Sequence, residues 1–196
     1  IGVLIESGAA NNTLTLNLIS GNGSEGVLIQ GTGSDQNRLQ RNRIGLAATG
    51  TAVIANASHG VHITDNASGT LVGGLPPQAN FISGNGGAGV RVQSGAGNDI
   101  SFNSIVGNGG LGIDLGPPGV TPNDALDADT GANALQNFAT LSSVVQNGAM
   151  ASMTVNQNGL ASTQHGVIVY ANSACDPSGQ GEGEIYLDTV SVITDG

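Results

Sequence analysis

Lysine and tryptophan are absent from this chain of 196 residues, and cysteine occurs once. Without lysine, P-loop phosphate transfer, Schiff-base catalysis and Lys–Asn isopeptide staples have no residue to act through. Arg38, Arg41, Arg43 and Arg91 are the only permanent cations against a formal net charge of −10. That balance excludes a basic groove, and no nucleic-acid partner is expected. Cys175 cannot close an internal disulfide, which leaves its redox state and partner open. No apolar run approaches a membrane span, so no membrane insertion is expected, and no signal peptide is visible. Because "IGVLIESG" opens in mid-pattern, the chain reads as a processed or partial one.

Aromatics make up only 3 % and charged residues 9 %, while hydrophobics reach 38 % and glycine supplies 33 residues. A core here has to be built from Val, Ile, Leu and Ala, which suits thin layers stacked many times. Self-similarity bears this out. "GVLIE", "GVLIQ", "GVHIT", "GVRVQ" and "GIDLG" begin at Gly2, Gly26, Gly60, Gly89 and Gly112, at spacings of 24, 34, 29 and 23 residues. "NLISGN" from Asn17 to Asn22, "NFISGN" from Asn80 to Asn85 and "NSIVGN" from Asn103 to Asn108 form a second motif, with "NRIG" from Asn42 as a shortened copy. Asn12, Asn37 and Asn98 stand five residues before Asn17, Asn42 and Asn103.

The stretch "GNGGAG" from Gly84 spells G-x-G-x-x-G, the pattern that cradles a dinucleotide pyrophosphate when it opens a helix. It recurs as "GNGSEG" from Gly21 and "GNGGLG" from Gly107, and each copy runs into a short alternating strand. No helical pattern follows any of them, so the glycines are assigned to turns between strands.

Period-two alternation points Val3 and Ile5, Val27 and Ile29, Val61 and Ile63, Val90 and Val92, and Ile113 and Leu115 inward from a first strand. Leu14 and Leu16, Leu39, and Ile100 and Phe102 follow in a second, then Ile19, Ile44, Ile82 and Ile105 in a third. A unit of three short strands cannot bury its apolar side alone and must stack on the next. Equivalent residues then recur every ~4.8 Å, so Asn17, Asn42, Asn80 and Asn103, and likewise Asn22, Asn85 and Asn108, form amide ladders at the bends. Insertions fall in "LAATGTAVIANAS" and "GGLPPQA", where solenoids usually grow function.

These motifs resemble the right-handed parallel β-helix repeat family, the pectate-lyase-like superfamily, over residues 1–120. The resemblance implies an all-β fold of four to five coils with three strands each. Residues 121–138 resemble the segment that closes such helices in large bacterial secreted or surface proteins, and 139–196 are similar to the β-rich module that often follows. That module implies a small β-sandwich-like domain, which looks incomplete. An extracellular or cell-surface location in a bacterium is implied with it.

On this register the outward residues of the first strand are Leu4, Leu28, His62, Arg91 and Asp114. A column of His62, Arg91 and Asp114 is the sharpest catalytic candidate: Arg91 could neutralise a uronate while His62 or Asp114 moves a proton. The alternative is a ladder in which Arg91 pairs with Asp114 on a solvated face, worth little. Lyases of this architecture want several carboxylates on calcium, and glycosidases want two facing carboxylates. The acids of the helix region, Glu6, Glu25, Asp35, Asp65 and Asp99 besides Asp114, are scattered.

For a metal, "NDALDADTGAN" offers oxygens from Asp127, Asp129 and Asn133 around Gly131, with Asp124 nearby, in the manner of a calcium loop. His59, His62 and Asp65, or Glu182 and Glu184, are weaker sets. Phe81 is expected outward beside Leu18, Arg43 and Ser104, where an aromatic can stack on a sugar. Sequons at Asn11, Asn22, Asn56 and Asn66 are what an Asn/Ser/Thr-rich chain yields by chance. The expected function is non-catalytic, structural or adhesive, with a polysaccharide or a surface protein as partner and no cofactor beyond structural calcium. The alternatives are a polysaccharide-active enzyme and a subunit of an end-to-end filament.

Overall fold

The computed structural model describes residues 1–194. Short strands recur in threes: β1 (Val3–Ile5), β2 (Thr13–Thr15) and β3 (Leu18–Ile19) make the first coil, and β4 (Val27–Gln30), β5 (Arg38–Gln40) and β6 (Arg43–Ile44) the second. The third contains β7 (Val61–Thr64), β8 (Leu71–Gly73) and β9 (Phe81–Ser83), and the fourth β10 (Val90–Val92), β11 (Asp99–Ser101) and β12 (Ser104–Val106). Strand β13 (Ile113–Leu115) begins one further turn. Every strand pairs in parallel with its counterpart one coil away, in the orders β1-β4-β7-β10-β13, β2-β5-β8-β11 and β3-β6-β9-β12. The chain is a parallel β-solenoid of about four turns.

Register follows the apolar pattern. Val27, Val61 and Val90 align, as do Ile29, Ile63 and Val92, and all six are fully buried. Leu39 and Val72 from the second sheet and Ile44 and Ile82 from the third complete the interior. Each such side chain contributes about 1.5–3 kcal/mol by leaving water, so the stack is held by many small aliphatic layers without aromatic anchors.

Two positions assigned to second strands lie elsewhere. Leu16 and Phe102 sit at φ 60° and 56°, in the left-handed region, and form the corner before Asn17 and Asn103, as Arg41 does at φ 58° before Asn42. A corner residue turns its side chain outward, and Leu16 is 66 % exposed. The second strand of the third coil, β8, is hidden in the sequence pattern because Thr70 stands where other coils carry asparagine.

Asparagine ladders run along the stack. The backbone N–H and the side-chain amide of Asn17 both donate to Asn42 Oδ1, Asn42 repeats this toward Asn80, and Asn80 toward Asn103. A second ladder passes from Asn22 through Asn56 and Asn85 to Asn108. The sequence motif omits Asn56 from this ladder because the inserted "LAATGTAVIANAS" separates it from "NRIG". A third ladder starts from Asn12 to Asn37, is interrupted at Thr70, whose hydroxyl has no partner, and resumes from Thr70 N–H to Asn98. The sequon residue Asn56 is itself fully buried in its rung.

The inserted loops fold back on themselves. Leu46 and Val53 form an antiparallel bridge in the first, and Pro76–Gln78 make a single 3-10 turn in the second. Downstream, where a sandwich-like module is expected, β14 (Thr140–Asn147) pairs antiparallel with β15 (Met150–Asn156), and β16 (Gln164–Ala171) with β17 (Ile185–Ile193). These are two separate two-stranded sheets. The second touches the solenoid: Gly183 bridges Ile105, and the ring of Tyr186 lies 5.3 Å from that of Phe102.

The recurring G-x-G-x-x-G divides its labour. Gly21, Gly84 and Gly107 hold positive φ at a turn. Gly26 and Gly89, the last glycines of the first two copies, serve packing: a Cβ on Gly89 would stand 2.4 Å from Ile105 Cγ2 and 2.7 Å from Gly112 O. Ile105 is a core side chain of the same coil and Gly112 O belongs to the next turn, so neither can move far. Gly89→Ala is therefore expected to cost about 3 kcal/mol by overpacking, whereas Gly23→Ala, which meets nothing within 4 Å, leaves stability within about 0.5 kcal/mol. Urea denaturation of the two variants beside the parent measures both.

Candidate functional site

The first sheet brings the outward residues into one column, with Leu4 opposite Leu28, Leu28 opposite His62, His62 opposite Arg91, and Arg91 opposite Asp114. Their environment differs from a solvated ladder. Arg91 and Asp114 are each only 6 % exposed, because the chain after β13 folds back across this end of the sheet. The guanidinium pairs with Asp114 Oδ2 through Nη1 and donates to Gly116 O at 2.7 Å through Nη2. Asp114 Oδ1 is buried without a partner. Ile113, expected inward, is 43 % exposed for the complementary reason that no further coil covers it.

A second row lies beside this column. Glu25 and His59 each precede the glycine that opens a first strand, Gly26 and Gly60, so stacking brings them close to His62. Glu25 Oε1 is 3.7 Å from His62 Nδ1, and the His59 and His62 rings meet edge to face with centroids 5.2 Å apart. His62 Nε2 lies 3.1 Å from Gln93 Oε1, so with that oxygen accepting, Nε2 carries the proton. Nδ1 is then buried without a hydrogen-bond partner.

The Ala88 N–H donates to His59 Nδ1 at 2.9 Å, which fixes the neutral ring with its proton on Nε2. Burial first, then the neighbouring His62 and Arg91, push His59 below the ordinary histidine range, and Glu25 and Asp114 reverse this only in part. Burial raises the Glu25 carboxyl, but hydrogen bonds from the Ser24 hydroxyl and its own backbone, with the two imidazoles, outweigh it and leave a net lowering. His59, His62, Arg91 and Gln93 form the floor of an open cleft of about 680 Å³, whose far wall includes Pro117 and Pro118. Beside the cleft His62 faces the Glu25 carboxylate.

In the acidic turn, Asp124, Asp127 and Asp129 place carboxylate oxygens within 4.8 Å of one another, and no other group of three or more acidic, histidine or cysteine residues does so among the described residues. Asp124 Oδ1 and Asp129 Oδ1 are out of solvent without a hydrogen-bond partner. Loss of hydration, then Asp124 and Asp127, push Asp129 above the usual carboxylate range. Asn133 is spent elsewhere: its Oδ1 accepts from the Asn98 N–H and side-chain amide, and its Nδ2 donates to Asn98 O. It extends the third asparagine ladder.

The weaker sets come apart. Asp65 lies past the end of β7 at φ 51°, exposed, with its carboxylate facing the Thr64 hydroxyl. Glu182 accepts from Gly107 N–H and Glu184 from Ser173 N–H. Phe81 stands outward in the Leu18, Arg43, Phe81, Ser104 column, 50 % exposed. Glu25 and Gln93 were missed as site residues, although the position of Glu25 directly before a repeat glycine is a signal the sequence carries. Among the described residues no helix is long and apolar enough to cross a membrane.

No protein-family model, curated protein or solved structure matches the chain.

The depressed His59 gives a pH dependence of definite sign. Its folded pKa lies below the unfolded value, so as pH falls below about 6.5 the unfolded chain takes up the proton first and stability declines. Protonation also removes the acceptor for Ala88 N–H. Denaturation midpoints at successive pH values between 8 and 5 are expected to fall in the parent chain, and His59→Gln is expected to flatten that part of the profile. The lowered Glu25 adds its loss only further down, as pH falls through its folded value.

Proposed function

We propose that the chain is a non-catalytic, structural or adhesive segment of a secreted or cell-surface bacterial protein. It is a right-handed β-helix of the pectate-lyase-like kind followed by a sandwich-like module, and it presents faces and loops to a glycan or another protein. The observation that carries this reading is the buried Arg91–Asp114 pair. Arg91, the one cation in the column, is committed to Asp114 and Gly116 O, so it holds down the returning chain and is not free to neutralise a uronate. The exposed Phe81 and the cleft beside His62 are surfaces of the kind a glycan contacts.

A second reading, a polysaccharide-active enzyme, is favoured by the Glu25–His62 pair above that cleft. Incubation with a panel of acidic and neutral polysaccharides separates the two. The structural reading expects retention without release of reducing ends or unsaturated products, and product release that His62→Ala abolishes replaces it with the enzymatic one. Arg91→Gln is expected to destabilise the fold by about 3 kcal/mol, because it strands a buried carboxylate, and chemical denaturation measures that loss.

Structural calcium belongs to the same proposal. Asp124, Asp127 and Asp129 present hard oxygen donors, two of them bare, and a divalent ion would replace the lost hydration and offset the neighbouring charges that together raise Asp129. Asn133 is not among the ligands. The melting temperature is expected to rise on adding calcium and to fall with a chelator, and Asp129→Asn is expected to erase the difference.

A further inference from the structure

Asparagine followed by glycine occurs five times, at Asn22, Asn85, Asn108, Asn147 and Asn158. In this dipeptide the glycine nitrogen, uncrowded by a side chain, can attack the preceding side-chain amide carbon, and the fold decides which copies are free to react. Asn22, Asn85 and Asn108 belong to the second ladder. Their side-chain amides donate to Asn56 Oδ1 at 2.7 Å, Asn108 Oδ1 at 2.9 Å and Ile82 O at 3.1 Å, respectively. At Asn85 and Asn108 the attacking nitrogen is held as well, since Gly86 N–H donates to Asn56 O at 2.9 Å and Gly109 N–H to Asn85 O at 2.7 Å. Asn158 is anchored to the acidic turn, its Oδ1 accepting from Leu126 N–H and its Nδ2 donating to Asp124 O, both at 3.2 Å. Asn147 has none of these restraints.

We infer that Asn147 is a site of spontaneous modification, where the chain converts to aspartyl and isoaspartyl forms through a cyclic imide while the ladder asparagines persist. Asn147 ends β14 and pairs with Met150 across the two-residue turn Gly148–Ala149. Gly148 takes the first central position at φ 63°, a place that favours glycine. Among the described residues neither the Asn147 side chain nor the Gly148 N–H has a hydrogen-bond partner. Gln146 Nε2 donates to Gly148 O at 3.1 Å, which leaves that nitrogen untouched. All eight residues of β14 are exposed, and an isolated two-stranded sheet is marginal in water, so the turn reaches the reactive geometry by local opening alone. Asn85 and Asn108 reach it only if a coil unfolds. In the reaction the Gly148 nitrogen gives up its proton and bonds to Asn147 Cγ, the Cγ–Nδ2 bond breaks, and the departing nitrogen takes up a proton and leaves as ammonia. Water then opens the ring at either carbonyl. One opening yields aspartate, and the other yields isoaspartate, whose backbone runs through Cβ and Cγ. The isoaspartyl form lengthens the turn by a carbon and shifts β14 against β15.

The test incubates the full chain at mildly alkaline pH, folded in one sample and in urea in the other. Peptide mass mapping, with fragmentation that separates Asn147 from Asn158, follows each site, and enzymatic methylation counts isoaspartyl carboxylates. In urea Asn85, Asn108 and Asn147 are expected to convert at rates within about twofold of one another, because nothing then distinguishes their surroundings. In the folded chain Asn147 is expected to convert about tenfold faster than Asn85 and Asn108, or more, since only its turn opens locally. Asn147→Gln is expected to remove the largest share of the isoaspartyl signal from the folded sample. Conversion of Asn85 or Asn108 as fast as Asn147 in the folded chain overturns the inference, as does an Asn147 that stays intact while the urea sample reacts. Should Asn147→Gln disturb the hairpin, the site-resolved rates of the parent decide by themselves.

Discussion

Everything in the solenoid depends on buried amides that only the adjacent coil can satisfy. Asn42 and Asn80 are fully buried, and each places its side chain where the oxygen receives two N–H groups from one neighbour while the amide donates to the other. Removing such a partner leaves donors in an apolar interior at about 1–3 kcal/mol each. A coil is accordingly not an independent unit. Its three strands, two to four residues long, gain stability only in company, and the ladders fix the company's register.

That constraint explains where the chain tolerates variation. Insertions enter between strands without breaking a rung, as the Leu46–Val53 hairpin does between Asn42 and Asn56. Where an asparagine is replaced, at Thr70, one hydroxyl is left unpaired and the ladder resumes in the next coil. Charge is tolerated where it is paired or at the rim. Arg91 and Asp114 lie on a nominally outer face, yet the chain that returns over them makes that face interior, and the ion pair becomes part of the closure. The cleft beside His59 and His62 exists because the returning segment roofs the column only as far as Arg91.

Much of the solenoid was legible in the sequence because its period is so short. Alternation identified the inward residues of four first strands, and the "NxISGN" repeats located the bends. Leu16 and Phe102 were misplaced because an apolar residue two positions from another looks like a strand, and nothing local marks its left-handed φ. The column of His62, Arg91 and Asp114 was also legible, since register alone stacks it. Its burial was not, because that depends on residues 116 to 135 turning back. Asn133 has the same history. Among aspartates it looks like a ligand, and only the path of the chain brings it onto Asn98.

By itself the sequence determined the repeating unit, most of the inward and outward sets, the absence of a cationic surface and the asparagines of the repeated motif that had to stack. These are local or periodic properties, fixed by side-chain chemistry and a two-residue alternation. Tertiary structure alone decided which outward residues lost water, that Glu25 and His62 stand 3.7 Å apart, and that Asn133 joins the third ladder at Asn98. Those outcomes rest on contacts between segments tens of residues apart, and no periodicity encodes where a chain returns.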